Sequence, residues 1–329
     1  MTRVTAIACG TVLHALVAAL PAPSDAQQAG KTYRVGFLST ASANGFAAQV
    51  DAFRQGLRDF GYVEGKNVVV EYRYADDRYD RLDALAAELA RLKVDVIVTS
   101  GTPGTLAVKK ATTTIPVVVA IIGDPVATGA VASYARPGGN ITGLSFHFPE
   151  LMAKRLDVLK EAVPRLSRVA VLRNPGNPST PTAMSAIEKI GRSLKLEIAP
   201  VDAREPADLD AAFAEMAKRR SEGVVILDDP MLIAHRRPLA DLALKHRLPA
   251  IGNQLFAEAG GLLGYGTDVI VVFRQAGALV DKVLKGAKPA DLPFQQAERV
   301  ELTVNRKAAQ ALQLTLPSSL AVRADKIVE

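Results

Sequence analysis

A chain of 329 residues, 49% hydrophobic and 22% charged, is long enough for two globular domains, each with a sizeable core. The net charge of +6 is spread along the chain without a block of Lys or Arg, tryptophan is absent, and aromatic residues make up only 5%. That composition speaks against nucleic-acid binding and against any site built on aromatic stacking, such as a sugar pocket or a single-strand nucleic-acid platform.

The amino terminus reads as a targeting segment. Arg3 is the only early charge, Val4 to Leu20 is apolar, and Pro21 to Ala26 is rich in helix breakers. Ser24 and Ala26 put small residues where a signal peptidase reads, so residues 1–26 are expected to be removed as a signal peptide. Gly10, Thr11 and His14 interrupt the apolar run and argue against a retained membrane anchor. Cys9 leaves with this segment, and the mature chain has no cysteine for a disulfide or a thiol nucleophile.

From Tyr33 onwards, strand and helix patterns alternate. Tyr33 to Leu38 predicts a strand ending in a loop of small and polar residues, and Phe46 to Phe60 an amphipathic helix stopped by Gly61. Asn67 to Tyr72 predicts a strand, Tyr79 to Leu92 a helix, and Val94 to Thr99 a strand ending in Ser100-Gly101-Thr102-Pro103-Gly104. Leu106 to Ala111 continues as helix. The β-branched run Val117 to Ile122 predicts a strand buried on both faces, closed by Gly123-Asp124-Pro125. Val126 to Ala135 predicts a short helix, Pro137 to Asn140 a turn, and Ile141 to Phe146 a further strand.

A second round follows. Helices are expected over Glu150 to Ala162, Pro181 to Leu194, Pro206 to Arg220, Met231 to Lys245 and Val269 to Leu284. Strands are expected over Arg168 to Leu172, Leu196 to Val201, Gly223 to Leu227, Pro249 to Ile251 and Leu262 to Tyr265. Such alternation predicts the α/β class, with two doubly wound parallel-sheet lobes, a hinge and a cleft between them. Ligands in such sheets bind at the carboxyl ends of strands.

The residues at those ends are the candidate site. Ser39, Thr40, Ser100 and Thr102 follow strands and precede helices, where hydroxyls and backbone N–H groups suit a carboxylate; plain N-capping accounts for each of them equally well. Asp124, Asp228 and Asn253 also end strands and can receive an amino group or hydroxyl, or cap the helix that follows. Asn174 has a similar place but precedes Pro175 in a turn, and Tyr265 is placed to stack on a ligand or to pack at the hinge. No nucleophile elbow, Walker loop or metal-ligand spacing appears, so neither a catalytic set, nor a metal, nor a cofactor is expected.

Several strings, in order, resemble one family. They are Gly61 to Asn67 (GYVEGKN), Glu71 to Arg73 (EYR), Asp124 to Val126 (DPV), Pro137 to Gly143 (PGGNITG), Gly260 to Leu262 (GGL) and Lys285 to Pro293 (KGAKPADLP). Together they are similar to the exported ABC-transporter substrate-binding proteins of the tryptophan/tyrosine type. The resemblance runs from about residue 33 to the end. It implies the two-lobed periplasmic-binding-protein fold, type I-like, with residues 31–145 plus 267–292 in one lobe and 146–266 plus 293–329 in the other. It also implies a periplasmic receptor that captures an amino acid, an aromatic one included, or a related carboxylate, and hands it to an inner-membrane permease. A ligand sensor for a membrane signalling protein is the alternative. An exported amino-acid-modifying enzyme would need a paired acid and base, or paired cysteines, facing the cleft.

Overall fold

Two runs of buried β-branched residues, Val96–Thr99 and Val117–Ile122, set the centre of the first lobe. The computed structural model describes residues 31–297 and 299–329; the expected signal segment lies outside the described residues. The first lobe is built from β1 (Tyr33–Ser39), α1 (Ala47–Arg58), β2 (Val68–Tyr74), α2 (Leu82–Arg91), β3 (Val96–Thr99), α3 (Gly101–Ala111), β4 (Val117–Ile122) and β5 (Ile141–Ser145). The second begins with α4 (Phe148–Ala162) and continues through β6 (Arg168–Arg173), α5 (Thr180–Ser193), β7 (Glu197–Asp202), α6 (Leu209–Lys218) and β8 (Gly223–Ile226). After α7 (Pro230–Ala234), α8 (Arg236–Lys245), β9 (Ala250–Gly252), α9 (Gln254–Glu258) and β10 (Leu263–Thr267), the chain returns to the first lobe as α10 (Val269–Leu284). It closes with β11 (Gln295–Gln296), β12 (Val300–Asn305), α11 (Arg306–Ala311), α12 (Ser318–Arg323) and β13 (Lys326–Val328).

The sheets have the order β11-β5-β4-β3-β1-β2 and β13-β12-β10-β9-β8-β6-β7. Among the described residues every strand pair is parallel except β10 with β12, and each sheet is sandwiched by helices that bury its apolar faces. The chain therefore passes between lobes three times, after β5, before α10 and after β11. The last crossing differs from expectation: Gln295 and Gln296 pair with Leu144 and Ser145, so the return to the second lobe falls after residue 296 rather than at 293.

Three local expectations also change. Val126–Ala135 is a string of turns, because the Asp124 carboxylate accepts from Val126 N and Ala127 N and Gly129, at φ +70°, ends the turn at once. The helix expected from Leu106 starts at Gly101; Pro103 is tolerated because its missing N–H falls in the first turn. The helix expected over Met231–Lys245 breaks at His235 into α7 and α8.

Helix α10 carries the return and packs backbone to backbone against α1. A Cβ on Gly277 would lie 2.3 Å from the Gly56 carbonyl carbon in α1, and a Cβ on Gly56 would lie 2.1 Å from Arg274 O. Backbone meets backbone there, so nothing flexible can yield. Gly277→Ala is expected to force the helices apart and cost about 2 kcal/mol net of its better helix propensity. Thermal unfolding would show this as a midpoint about 3 °C lower; an unchanged midpoint would refute the contact.

Candidate functional site

The carboxyl ends of both sheets face one cavity. From the first lobe come Ser100, Gly101 and Thr102 at the start of α3, Ile121, Ile122 and Gly123 at the end of β4, and Phe46 before α1. The second lobe supplies Asn177 and Ser179 before α5, and Asp228, Asp229, Pro230 and Ile233 around the start of α7. The crossover residues Phe146 and Phe148, with Val269 and Phe273 of α10, complete the wall. Four phenylalanines thus face a short arc of hydroxyls, an amide and two carboxylates, an apolar wall with a few converging polar groups.

The two neighbouring acids are held differently. Arg155, fully buried on α4, clamps Asp228 with two bonds of 2.8 and 2.9 Å. The same guanidinium donates to Ile226 O at 3.0 Å and to Tyr265 O at 2.7 Å, tying the end of β8 and the middle of β10 to α4. Asp229 caps α7 through Met231 N and Leu232 N, and its other oxygen accepts from Asn177 Nδ2 at 2.9 Å and Tyr79 OH at 2.5 Å. Burial pushes the Asp229 carboxyl above the usual carboxylate range, outweighing these four donors. Burial, then the Asp229 charge, raises the Tyr79 phenol well above its ordinary value.

Tyr79 belongs to the first lobe and Asp229 to the second, so that bond crosses the cleft. Two others do the same: Thr102 Oγ1 with Ser179 Oγ at 2.5 Å, and His235 Nε2 with Asp77 Oδ2 at 2.9 Å. Gly101 lies at φ +72°, and a Cβ there would stand 2.7 Å from Pro230 Cγ. Glycine is needed at that turn for both reasons.

Of the residues picked from the sequence, the fold brings Ser100, Thr102 and Asp228 onto this cavity. Ser100 is 3% exposed and caps nothing with its side chain. Ser39 spends its hydroxyl on Ala41 O, and Thr40 is buried with an unpartnered Oγ1. Asp124 closes the turn described above and accepts from Tyr134 OH at 3.4 Å. Asn174 forms a turn with Gly176 N, and Asn253 caps α9 while facing a small space behind α7. Tyr265 packs against the core of the second lobe.

Asp229, Asn177, Ser179 and Tyr79 were not picked from the sequence. For Asp229 a signal existed: an Asp directly before Pro at the first helical position marks the cap, which leaves Asp228 as the strand-end residue. The others sit in loops whose direction only the packed lobes define. Among the described residues no helix is long and apolar enough to cross a membrane, and no group of three His, Cys, Asp or Glu could hold a metal ion.

Known proteins share this architecture. A tyrosine-binding protein of Clostridioides difficile is 22% identical over 263 residues, covering 80% of this chain and 75% of its own. A conserved domain protein of Vibrio cholerae superposes with a TM-score of 0.84 at 26% identity, over 90% of this chain and 100% of that one. An ABC domain of Streptococcus pneumonia in complex with L-Trp gives 0.83 at 21% identity, over 91% and 100%. The profile of ABC transporter substrate binding proteins matches residues 34–328, which takes in both sheets and all three crossings. The chain belongs to the ABC transporter substrate-binding protein family.

Proposed function

We propose that this protein is an exported, periplasmic receptor that closes its two lobes around an aromatic amino acid and delivers it to an inner-membrane permease. The observation that carries the reading is the single cavity in which a helix N-terminus, two carboxylates and four phenylalanines meet. The ligand carboxylate lies at the start of α3, where Ser100 leaves the first helical turn uncapped by its side chain and the Thr102 and Ser179 hydroxyls meet. Its ammonium turns to the Asp228–Asp229 side, and its ring packs among Phe46, Phe146, Phe148 and Phe273. The tyrosine-binding relative and the L-Trp complex support this class of ligand. The space between the lobes is about 50 Å³, less than an aromatic amino acid fills, so such a ligand enters only when the lobes part. Ligand that bridges both lobes then stabilises the closed state.

The test is a dye-monitored thermal shift with L-tryptophan, L-tyrosine, L-phenylalanine, benzoate and a neutral sugar, after unfolding and refolding to strip carried-over ligand. A hundredfold excess over Kd stabilises the native state by about 2.7 kcal/mol, so an aromatic amino acid is expected to raise the midpoint by several degrees. A rise with benzoate and none with the amino acids would replace the amino-acid reading with an aromatic-carboxylate one.

A further inference from the structure

The segment from Ala75 to Tyr79 belongs to the first lobe and grips the second at both ends of α7. Tyr79 donates to Asp229, the cap at the amino end, and Asp77 pairs with His235, the residue that ends the helix. Neither Asp77 nor Tyr79 lines the ligand cavity, whereas Pro230 and Ile233 of α7 do. The segment is firmly anchored on its own side. Ala75 N and Asp77 N donate to Ser39 O and Thr40 O, each at 2.9 Å, and Arg81 bonds both Ala75 O and the Asp76 carboxylate. Asp76 and Asp77 take left-handed backbone, at φ 53° and 64°, an unfavourable shape for two successive non-glycine residues.

The contact continues into the site. Asn177 donates to the Asp229 oxygen that Tyr79 bonds; its own Oδ1 accepts from Ser179 N at 3.0 Å, and Ser179 Oγ bonds Thr102 at the start of α3. A single hydrogen-bonded chain therefore leaves the first lobe at Tyr79, crosses the second, and returns to the first at Thr102. When the lobes part, its two interlobe links open to water; when they close, Tyr79 alone supplies Asp229 with its donor from the other lobe.

We propose that Asp77 and Tyr79 form an interlobe clasp on α7, with Tyr79 a positioning residue that holds the cleft shut without touching the ligand. The inference rests on the reading of the cleft as a capture site. In the open state water satisfies both Tyr79 OH and Asp229, so loss of the bond weighs on closure alone. It should speed ligand release and leave entry nearly unchanged, because encounter precedes closure.

The clasp can be tested with and without ligand. Thr102→Cys and Ser179→Cys, in residues 27–329, which hold no native cysteine, place thiols where the hydroxyls meet; the initial rate of oxidative crosslinking then follows the closed population. Adding Tyr79→Phe, which keeps the ring, is expected to slow crosslinking about tenfold. With the native hydroxyls, Tyr79→Phe is expected to raise koff for L-tryptophan about tenfold, with kon within about twofold. Asp77→Ala, which removes the partner of His235 at the other end of α7, should move both readouts the same way and serves if Tyr79→Phe folds poorly. Unchanged crosslinking and koff in both variants would overturn the clasp. Failure of the parent protein to bind L-tryptophan would count against the ligand assignment, while the crosslinking rates would still decide the clasp.

Discussion

Arg155→Met is expected to destabilise the protein by about 3 kcal/mol, more than the close α1–α10 contact contributes. Arg155 is fully buried, and Asp228, its bidentate partner, is 13% exposed at the side chain. Removing the guanidinium leaves a carboxylate without its counter-ion and strips donors from the carbonyls of Ile226 and Tyr265. The figure sits at the low end of the range for broken buried pairs because Asp228 retains some access to water. Methionine keeps most of the aliphatic volume, so the loss reports charge and hydrogen bonds rather than a cavity. Equilibrium denaturation should show the drop as an earlier midpoint. The double variant Arg155→Met with Asp228→Leu should recover part of it, since an apolar pair of similar volume removes the uncompensated charge while the carbonyls stay unpaired. A single variant within about 1 kcal/mol of the parent would contradict this account.

Asp229→Ala is expected to weaken ligand binding about a hundredfold, corresponding to about 2.7 kcal/mol. The carboxylate holds four donors: two backbone N–H groups of α7, Asn177 of its own lobe, and Tyr79 of the other. Alanine forfeits the helix cap, worth about 1 kcal/mol, which moves α7 and with it Pro230 and Ile233 on the cavity wall. It also leaves Tyr79 OH and Asn177 Nδ2 without an acceptor, a penalty felt in the closed state where water cannot replace it. Both losses act against closure. Calorimetric titration with the tightest ligand of the thermal-shift panel provides the measurement. An affinity within about threefold of the parent would remove Asp229 from any role in capture.

The contrast between the two acids shows where sequence reasoning stops. Asp228 and Asp229 are adjacent, both follow a strand, and both precede a proline-led helix. A strand end pointing into a cleft suggested that Asp228 awaits a ligand ammonium. What lies beneath it is Arg155, 73 residues earlier in the chain, whose burial nothing local announces. An arginine in the middle of an amphipathic helix reads as a solvated residue until the second sheet is laid over it.

Much of the architecture was legible before any coordinates. The alternation of strand and helix, the doubly buried run Val117–Ile122 and the helix Val269–Leu284 follow from hydrophobic period and β-branching, which act over a few residues. The ordered strings from Gly61 to Pro293 pointed to the substrate-binding family that the full-length match shows. Serine and threonine at the start of α3 were also legible, since a hydroxyl after a strand and before a helix has few other places to go.

Only the tertiary structure decided which polar groups meet. The contacts between Tyr79 and Asp229, Thr102 and Ser179, and Asp77 and His235 join residues 150, 77 and 158 positions apart, and depend on two lobes meeting face to face. The late crossing after β11 and the antiparallel strand β12 escaped notice because a two-residue strand has no period to detect and a strand's direction leaves no local mark. Local sequence determined the elements and the kind of cleft they make, through steric and hydrophobic preferences a few residues long. Contacts across that cleft, which govern how it closes, are long-range pairings and were settled by the packing of the lobes.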